Sequence, residues 1–174
     1  MLVYMRQAQN NDLVDIVTII EAARFYLKQQ GINQWQLGHP NQETILNDLN
    51  QKNGYVLIAE NQVAGYAAIV PGEEPNYTKI ESGHWLNQAT DYVSIHRFAL
   101  SPLYRGQKLT QRFMTAILTY FFEQQVIDFR IDTHPKNMAM QAVIRDNGFT
   151  RQGIIRINEG GDSSIRWAYQ VLLA

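Results

Sequence analysis

Between residues 92 and 132 the sequence changes its period twice, and this constrains the fold more than any other feature. Residues 92–100 read Tyr-Val-Ser-Ile-His-Arg-Phe-Ala-Leu, a strand closed by Ser101 and Pro102. A turn containing Arg105, Gly106 and Gln107 follows. Leu109, Phe113, Ile117, Leu118 and Phe121 then recur at helical spacing, and residues 129–132 read as a strand again. Strand, helix and strand in that order make a crossover, which is right-handed with parallel strands. It sets the turn 104–108 at the carboxyl end of a strand and the amino end of a helix, where α/β sheets bind anionic ligands.

The flanking segments extend the pattern. Residues 2–6 suit an edge strand. Asn10, Asn11 and Asp12 cap a helix whose apolar positions are Leu13, Ile16, Val17, Ile20 and Ala23, with Gly31 as its stop. Residues 34–40, including Trp35, form a loop. Asn41 to Thr44 open a second helix carrying Ile45, Leu46 and Leu49, ended near Asn53 and Gly54. Strands at 55–60 and 63–70 flank an Asn61-Gln62 turn. Residues 71–87 form a long excursion, of the kind more often functional or mobile than structural. After the crossover come a helix at 137–147, stopped by Gly148, and strands at 153–157 and 166–172 around the turn-rich residues 159–163. The whole is α/β with a mixed sheet. Its 174 residues, 45% of them apolar, match one domain spanning 1–174.

Composition removes several function classes. Fifteen basic against sixteen acidic residues give a net charge of -1, which speaks against a nucleic-acid partner. No cysteine is present, so disulfide scaffolds, thiolate metal centres and thiol nucleophiles drop out. His39, His84, His96 and His134 are too scattered for a metal motif, and the expectation is no metal. The amino-terminal apolar run is too short for a signal peptide, and no stretch is long enough to span a bilayer. A soluble, cytoplasmic protein with no membrane partner is expected.

The turn Tyr104-Arg105-Gly106-Gln107-Lys108-Leu109-Thr110 carries the chemistry. Unpaired backbone N–H groups, the positive helix end, Arg105 and Lys108 together suit a phosphate or pyrophosphate. Neither a nucleoside-triphosphate loop nor a dinucleotide fingerprint is present. Residues 98–106, Phe-Ala-Leu-Ser-Pro-Leu-Tyr-Arg-Gly, resemble the end of the fourth strand and the pyrophosphate loop of the GCN5-related N-acetyltransferase (GNAT) family. Residues 131–137, Ile-Asp-Thr-His-Pro-Lys-Asn, and 147–149, Asn-Gly-Phe, match that family's later motif, and element order agrees over nearly the whole chain.

The resemblance implies a GNAT-like α/β fold, a mixed, centrally splayed sheet of about seven strands flanked by about four helices. It implies acetyl-CoA as co-substrate. Backbone groups of Phe98, Ala99 and Leu100 would pair with the pantetheine arm like an added strand. Arg105, Gly106, Gln107, Lys108, Leu109 and Thr110 would hold the pyrophosphate, and Asn137 the pantetheine or phosphate region. The reaction implied is direct acetyl transfer to a primary amine of a small molecule or peptide; a homodimer is left open. Two departures stand out. Lys108 and Thr110 occupy positions where the family's loop carries small residues, and Ile144 stands where many members carry a tyrosine acid. These departures favour the competing reading, a non-catalytic acyl-CoA-binding or regulatory module.

The amine acceptor must lose a proton, so a histidine suits the base. His96 lies two residues before Phe98 and, on regular strand alternation, faces the same side; Ser94 on that face would order water. His39 is read as structural or solvated, His84 as a candidate substrate contact, and His134 as holding its loop. Trp35, Trp85 and Tyr26 are weighed as lining for an acceptor pocket against roles in the core.

Overall fold

The computed structural model describes residues 1–158 and 165–174. The turn expected at 159–163 lies outside them. Seven strands form one mixed sheet in the order β1-β2-β3-β4-β5-β7-β6, with four α-helices among the described residues. This is the expected α/β class. The strands are β1 (Val3–Gln7), β2 (Gly54–Ala59), β3 (Gln62–Pro71), β4 (Val93–Leu100), β5 (Asp128–Thr133), β6 (Thr150–Arg156) and β7 (Ile165–Leu172). The helices are α1 (Leu13–Gln29), α2 (Gln42–Asn50), α3 (Leu109–Phe122) and α4 (Met138–Asp146). The chain divides into two compact units, Met1–Ile69 with His96–Ile117, and Val70–Ile95 with Leu118–Ala174.

The first unit is built on an antiparallel meander. β1 pairs with β2 from Val3–Ala59 to Gln7–Tyr55, and β2 pairs with β3 from Gly54–Ala68 to Ala59–Gln62. The connecting turn is Glu60-Asn61, one residue earlier than the expected Asn61-Gln62. Both residues are left-handed, with φ of 50 and 66, the conformation that matches a two-residue loop to strand twist. α1 buries Ile16, Ile19, Ile20 and Leu27, and α2 buries Ile45, Asp48 and Leu49. Ile16, Ile19, Ile20, Ile45 and Leu49 pack with Val56, Ile58, Tyr66, Ala68 and Ala99, and Trp35 lies against the same cluster. α2 begins where Asn41 Oδ1 accepts from the Thr44 N–H at 2.9 Å while Thr44 Oγ1 accepts from the Asn41 N–H at 3.2 Å. That reciprocal cap sets the helix start. Ahead of α1, Asp12 binds the Arg6 guanidinium at 2.7 and 2.8 Å and accepts from the Gln9 N–H at 2.7 Å.

In the second unit β4 runs parallel to β5, with register pairs Val93–Phe129, Ser94–Arg130 and Ile95–Ile131. β7 is antiparallel to both β5 and β6. Residues 71–87, expected as a functional or mobile excursion, are tied down. Glu81 and Ile154 exchange both backbone hydrogen bonds, at 2.7 and 2.8 Å. Gly83 is obligatory there, since a Cβ would lie 1.8 Å from the Gln152 carbonyl oxygen. Trp85, Tyr77 and Tyr92 sit in a buried cluster with Ile155 and Ala168. Arg130, 3% exposed, is its centre: the guanidinium carbon lies 3.7 Å from the Tyr92 ring centroid and 4.6 Å from that of Trp85. It also pairs with Asp128 at 3.1 Å and donates to Asn87 at 2.9 Å and the Ala89 carbonyl at 3.1 Å. A buried cation needs this full set of partners.

Candidate active site

β4 ends in a junction whose geometry follows from its sequence. The Ser101 N–H donates to the Ala64 carbonyl at 2.8 Å, and Ser101 caps the one-turn 3-10 helix Pro102–Tyr104. Arg105, Gly106, Gln107 and Lys108 are exposed, Leu109 is buried and Thr110 half-buried. Gly106 has φ 80 and Lys108 has φ 56. The Arg112 N–H donates to the Lys108 carbonyl at 3.3 Å, starting the helical ladder of α3. The amides of Lys108, Leu109 and Thr110 precede that first bond and have no acceptor within the helix. The expected loop residues are thus brought together at a helix amino terminus, where donors and dipole both favour an anion.

Lys108 keeps the left-handed backbone that glycine would adopt freely. The family's small residue is missing, but the turn conformation survives, at a cost of about 1–2 kcal/mol for an L-residue. Its side chain is exposed. The Arg105 guanidinium stands 5.0 Å from the Tyr26 ring centroid, which props a cation beside the loop. Tyr26 is the one weighed aromatic that meets this loop. Trp35 and Trp85 belong to cores.

Phe98, Ala99 and Leu100 form the end of β4. Phe98 stacks on Phe113 of α3, centroids 5.2 Å apart. A Cβ on Gly65 would sit 3.1 Å from the Ala99 carbonyl oxygen, so Gly65 lets β3 approach this stretch closely. Arg97, just upstream, has φ 55, which sequence reading missed. Its Nε donates to Asp48 Oδ2 at 2.8 Å and its Nη2 to Oδ1 at 2.6 Å. The Tyr66 hydroxyl donates to the same Oδ2 at 2.7 Å. Burial, and then the Asp48 charge, push the Tyr66 phenol far up, so it stays protonated and donates to Asp48. The available signals were an arginine inside an apolar strand and an acid on the apolar face of α2.

His96 is half-buried on β4. Simple alternation no longer puts it on the Phe98 face, because the left-handed Arg97 between them interrupts the pleat. Ser94 is fully buried, and its hydroxyl donates to the Val70 carbonyl at 3.3 Å. Asn137 caps α4, its Oδ1 accepting from the Met140 N–H at 3.1 Å. His134 holds the loop before it, with Nδ1 accepting from the Lys136 N–H at 3.1 Å. Burial, then Arg166 and Lys136, lower its pKa. Ile144 is fully buried, so this position offers no acid. His39 and His84 are exposed. Among the described residues no cluster of three or more His, Asp or Glu could hold a metal, and no helix is long and apolar enough to cross a membrane.

Comparison with known proteins bears on the family and the fold. The sequence matches the acetyltransferase (GNAT) family over residues 18–149. A GNAT-family acetyltransferase from Streptococcus agalactiae is 32% identical, with 99% of this chain and 96% of that one covered and a TM-score of 0.91. Two more distant structures share the fold. The ribosomal-protein-alanine N-acetyltransferase of Escherichia coli has 13% identity, coverage of 99% and 95%, and a TM-score of 0.68. An aminoglycoside acetyltransferase in complex with coenzyme A has 17% identity, coverage of 98% and 95%, and a TM-score of 0.69. No curated protein matches the sequence. With the strand–turn–helix junction in place and the match running from α1 to the end of the later motif, the chain belongs to the GNAT family of acetyltransferases.

Proposed function

We propose that this protein is an acetyl-CoA-dependent N-acetyltransferase, a single catalytic domain acting on a primary amine of a small molecule or peptide. The observation that carries the reading is the β4–α3 junction: left-handed Gly106 and Lys108 ahead of the α3 amino terminus, flanked by Arg105. The amides of Lys108, Leu109 and Thr110 would take the pyrophosphate, with Gly106 giving the turn, Gln107 lining it, and Arg105 and Lys108 adding charge. The backbone of Phe98, Ala99 and Leu100 would pair with the pantetheine arm. Asn137, whose Oδ1 caps α4, is kept as a candidate contact to the pantetheine or phosphate region. Two structural neighbours bear names of amine-directed acetyltransferases, which supports an amine acceptor here. The cytoplasm, where acetyl-CoA is at hand, is the expected location.

In the proposed reaction the acceptor nitrogen attacks the acetyl carbon, a C–N bond forms, and the C–S bond breaks. The proton leaving nitrogen goes to a base, for which His96 is our candidate, and the departing thiolate, to which Ile144 offers no proton, takes one from water or another side chain, unless its protonation does not matter for the rate. Acetyl-CoA binding is expected in the micromolar range. At a hundredfold excess over the dissociation constant it should stabilise the protein by about 2.7 kcal/mol. A melting temperature unmoved by millimolar acetyl-CoA overturns the reading. Free CoA thiol, released only when an amine from a panel is present, separates a transferase from the binding-module alternative.

A further inference from the structure

Arg97 occupies a left-handed conformation that only glycine adopts without steric cost, in the middle of a strand. Its guanidinium grips Asp48 through two hydrogen bonds, at 2.8 and 2.6 Å, and Tyr66 donates to the same carboxylate at 2.7 Å. Asp48 is 3% exposed and Tyr66 0%. A forked pair of this kind fixes direction as well as distance. Its two supports come from different elements, α2 and β3. Gly54 leaves room for one of them, because a Cβ there would lie 3.2 Å from the Tyr66 hydroxyl.

The object held is the backbone. A left-handed residue in a strand bends it and redirects the peptide groups that follow. Those groups belong to Phe98, Ala99 and Leu100, which pair with the pantetheine arm in the reading above, and the inference rests on that reading. We propose that Asp48 and Tyr66, acting through Arg97, are positioning residues that hold β4 bent so that these peptide groups meet an extended acyl-CoA arm. None of the three needs to touch the ligand. Their role is to keep a conformation that arginine by itself would leave.

Arg97→Ala and Arg97→Gly remove the same guanidinium, but only glycine keeps the left-handed backbone at little cost. Both are made with Asp48→Asn, so that no buried charge is left unpaired. Calorimetry with CoA is the readout, beside the melting temperature and the separate kcat and KM for acetyl-CoA. The Ala variant should bind CoA about tenfold more weakly than wild type, and the Gly variant should recover to within about threefold. KM should rise with kcat little changed. Equal losses in the Ala and Gly variants, or wild-type CoA binding in both with a lowered melting temperature, overturn the proposal. If the double variants fail to fold, Tyr66→Phe replaces them: CoA binding weakened about threefold supports it, and unchanged binding overturns it. A wild type that does not bind CoA overturns the acetyl-CoA reading and this inference with it, a result distinct from any pattern among the variants.

Discussion

Replacing Lys108 by glycine separates two effects that the loop combines. Lys108 has φ 56 immediately before α3, and an L-residue pays about 1–2 kcal/mol to sit there. Glycine pays almost nothing in the folded state but loses about 0.5–1 kcal/mol more backbone entropy on folding. The Lys108 side chain is exposed, so no packing is lost. The difference leaves Lys108→Gly more stable by about 0.5–1 kcal/mol, or about 1–4 °C in melting temperature for a chain of this length. Lys108→Ala, which deletes the charge but keeps a Cβ, should not share that gain. Denaturant titration checks both, with the midpoint moving at constant slope. The charge acts in the other direction on the ligand. An exposed ion pair contributes about 0.2–1 kcal/mol, so both variants should bind CoA more weakly at low salt, by up to about fivefold. At 1 M salt, where the screening length is about 3 Å, they should converge on wild type. A destabilised Gly variant refutes the backbone argument, and tighter CoA binding at low salt shows that Lys108 obstructs the phosphate site.

Three further outcomes are expected. His96→Gln should lower the acetyl-transfer rate by about 10²–10⁴-fold with CoA binding kept; a variant retaining its rate rules His96 out as the base. Arg6 holds the Asp12 carboxyl below the usual carboxylate range, so this group binds its proton less readily folded than unfolded. Its stabilising contribution is complete above the unfolded value near pH 4 and is lost as pH falls through the lowered folded value. Asp12→Asn should therefore cost about 1–3 kcal/mol at neutral pH and flatten the acid limb of a stability-versus-pH curve; an unchanged limb refutes this. Thr133 Oγ1 is buried with no hydrogen-bond partner among the described residues. Thr133→Val, nearly isosteric, should raise stability by about 1 kcal/mol in thermal or denaturant unfolding, and a fall would reveal a missed partner.

Much of the fold was written in local signals. The alternation of apolar periods from β4 through α3 to β5, the Asn41–Thr44 cap and the Gly31 and Gly148 stops each depend on neighbours a few residues apart, which sequence reading sees directly. The turn 104–108 between β4 and α3 was legible for the same reason: its glycine and cations are consecutive. Three features depended on contacts between distant residues and so emerged only from the tertiary structure. The excursion 71–87 reads as functional or mobile from its composition, but Arg130, stacked on Trp85 and Tyr92, and the Glu81–Ile154 exchange hold it to the sheet. The Glu60-Asn61 turn is set one residue early by the β2–β3 register. Alternation also placed His96 and Phe98 on one face, a rule that holds only while the backbone stays extended. Arg97 departs from it because Asp48, 49 residues away, and Tyr66 hold its guanidinium. Local propensity chose a strand there, and a buried long-range ion pair decided where that strand bends.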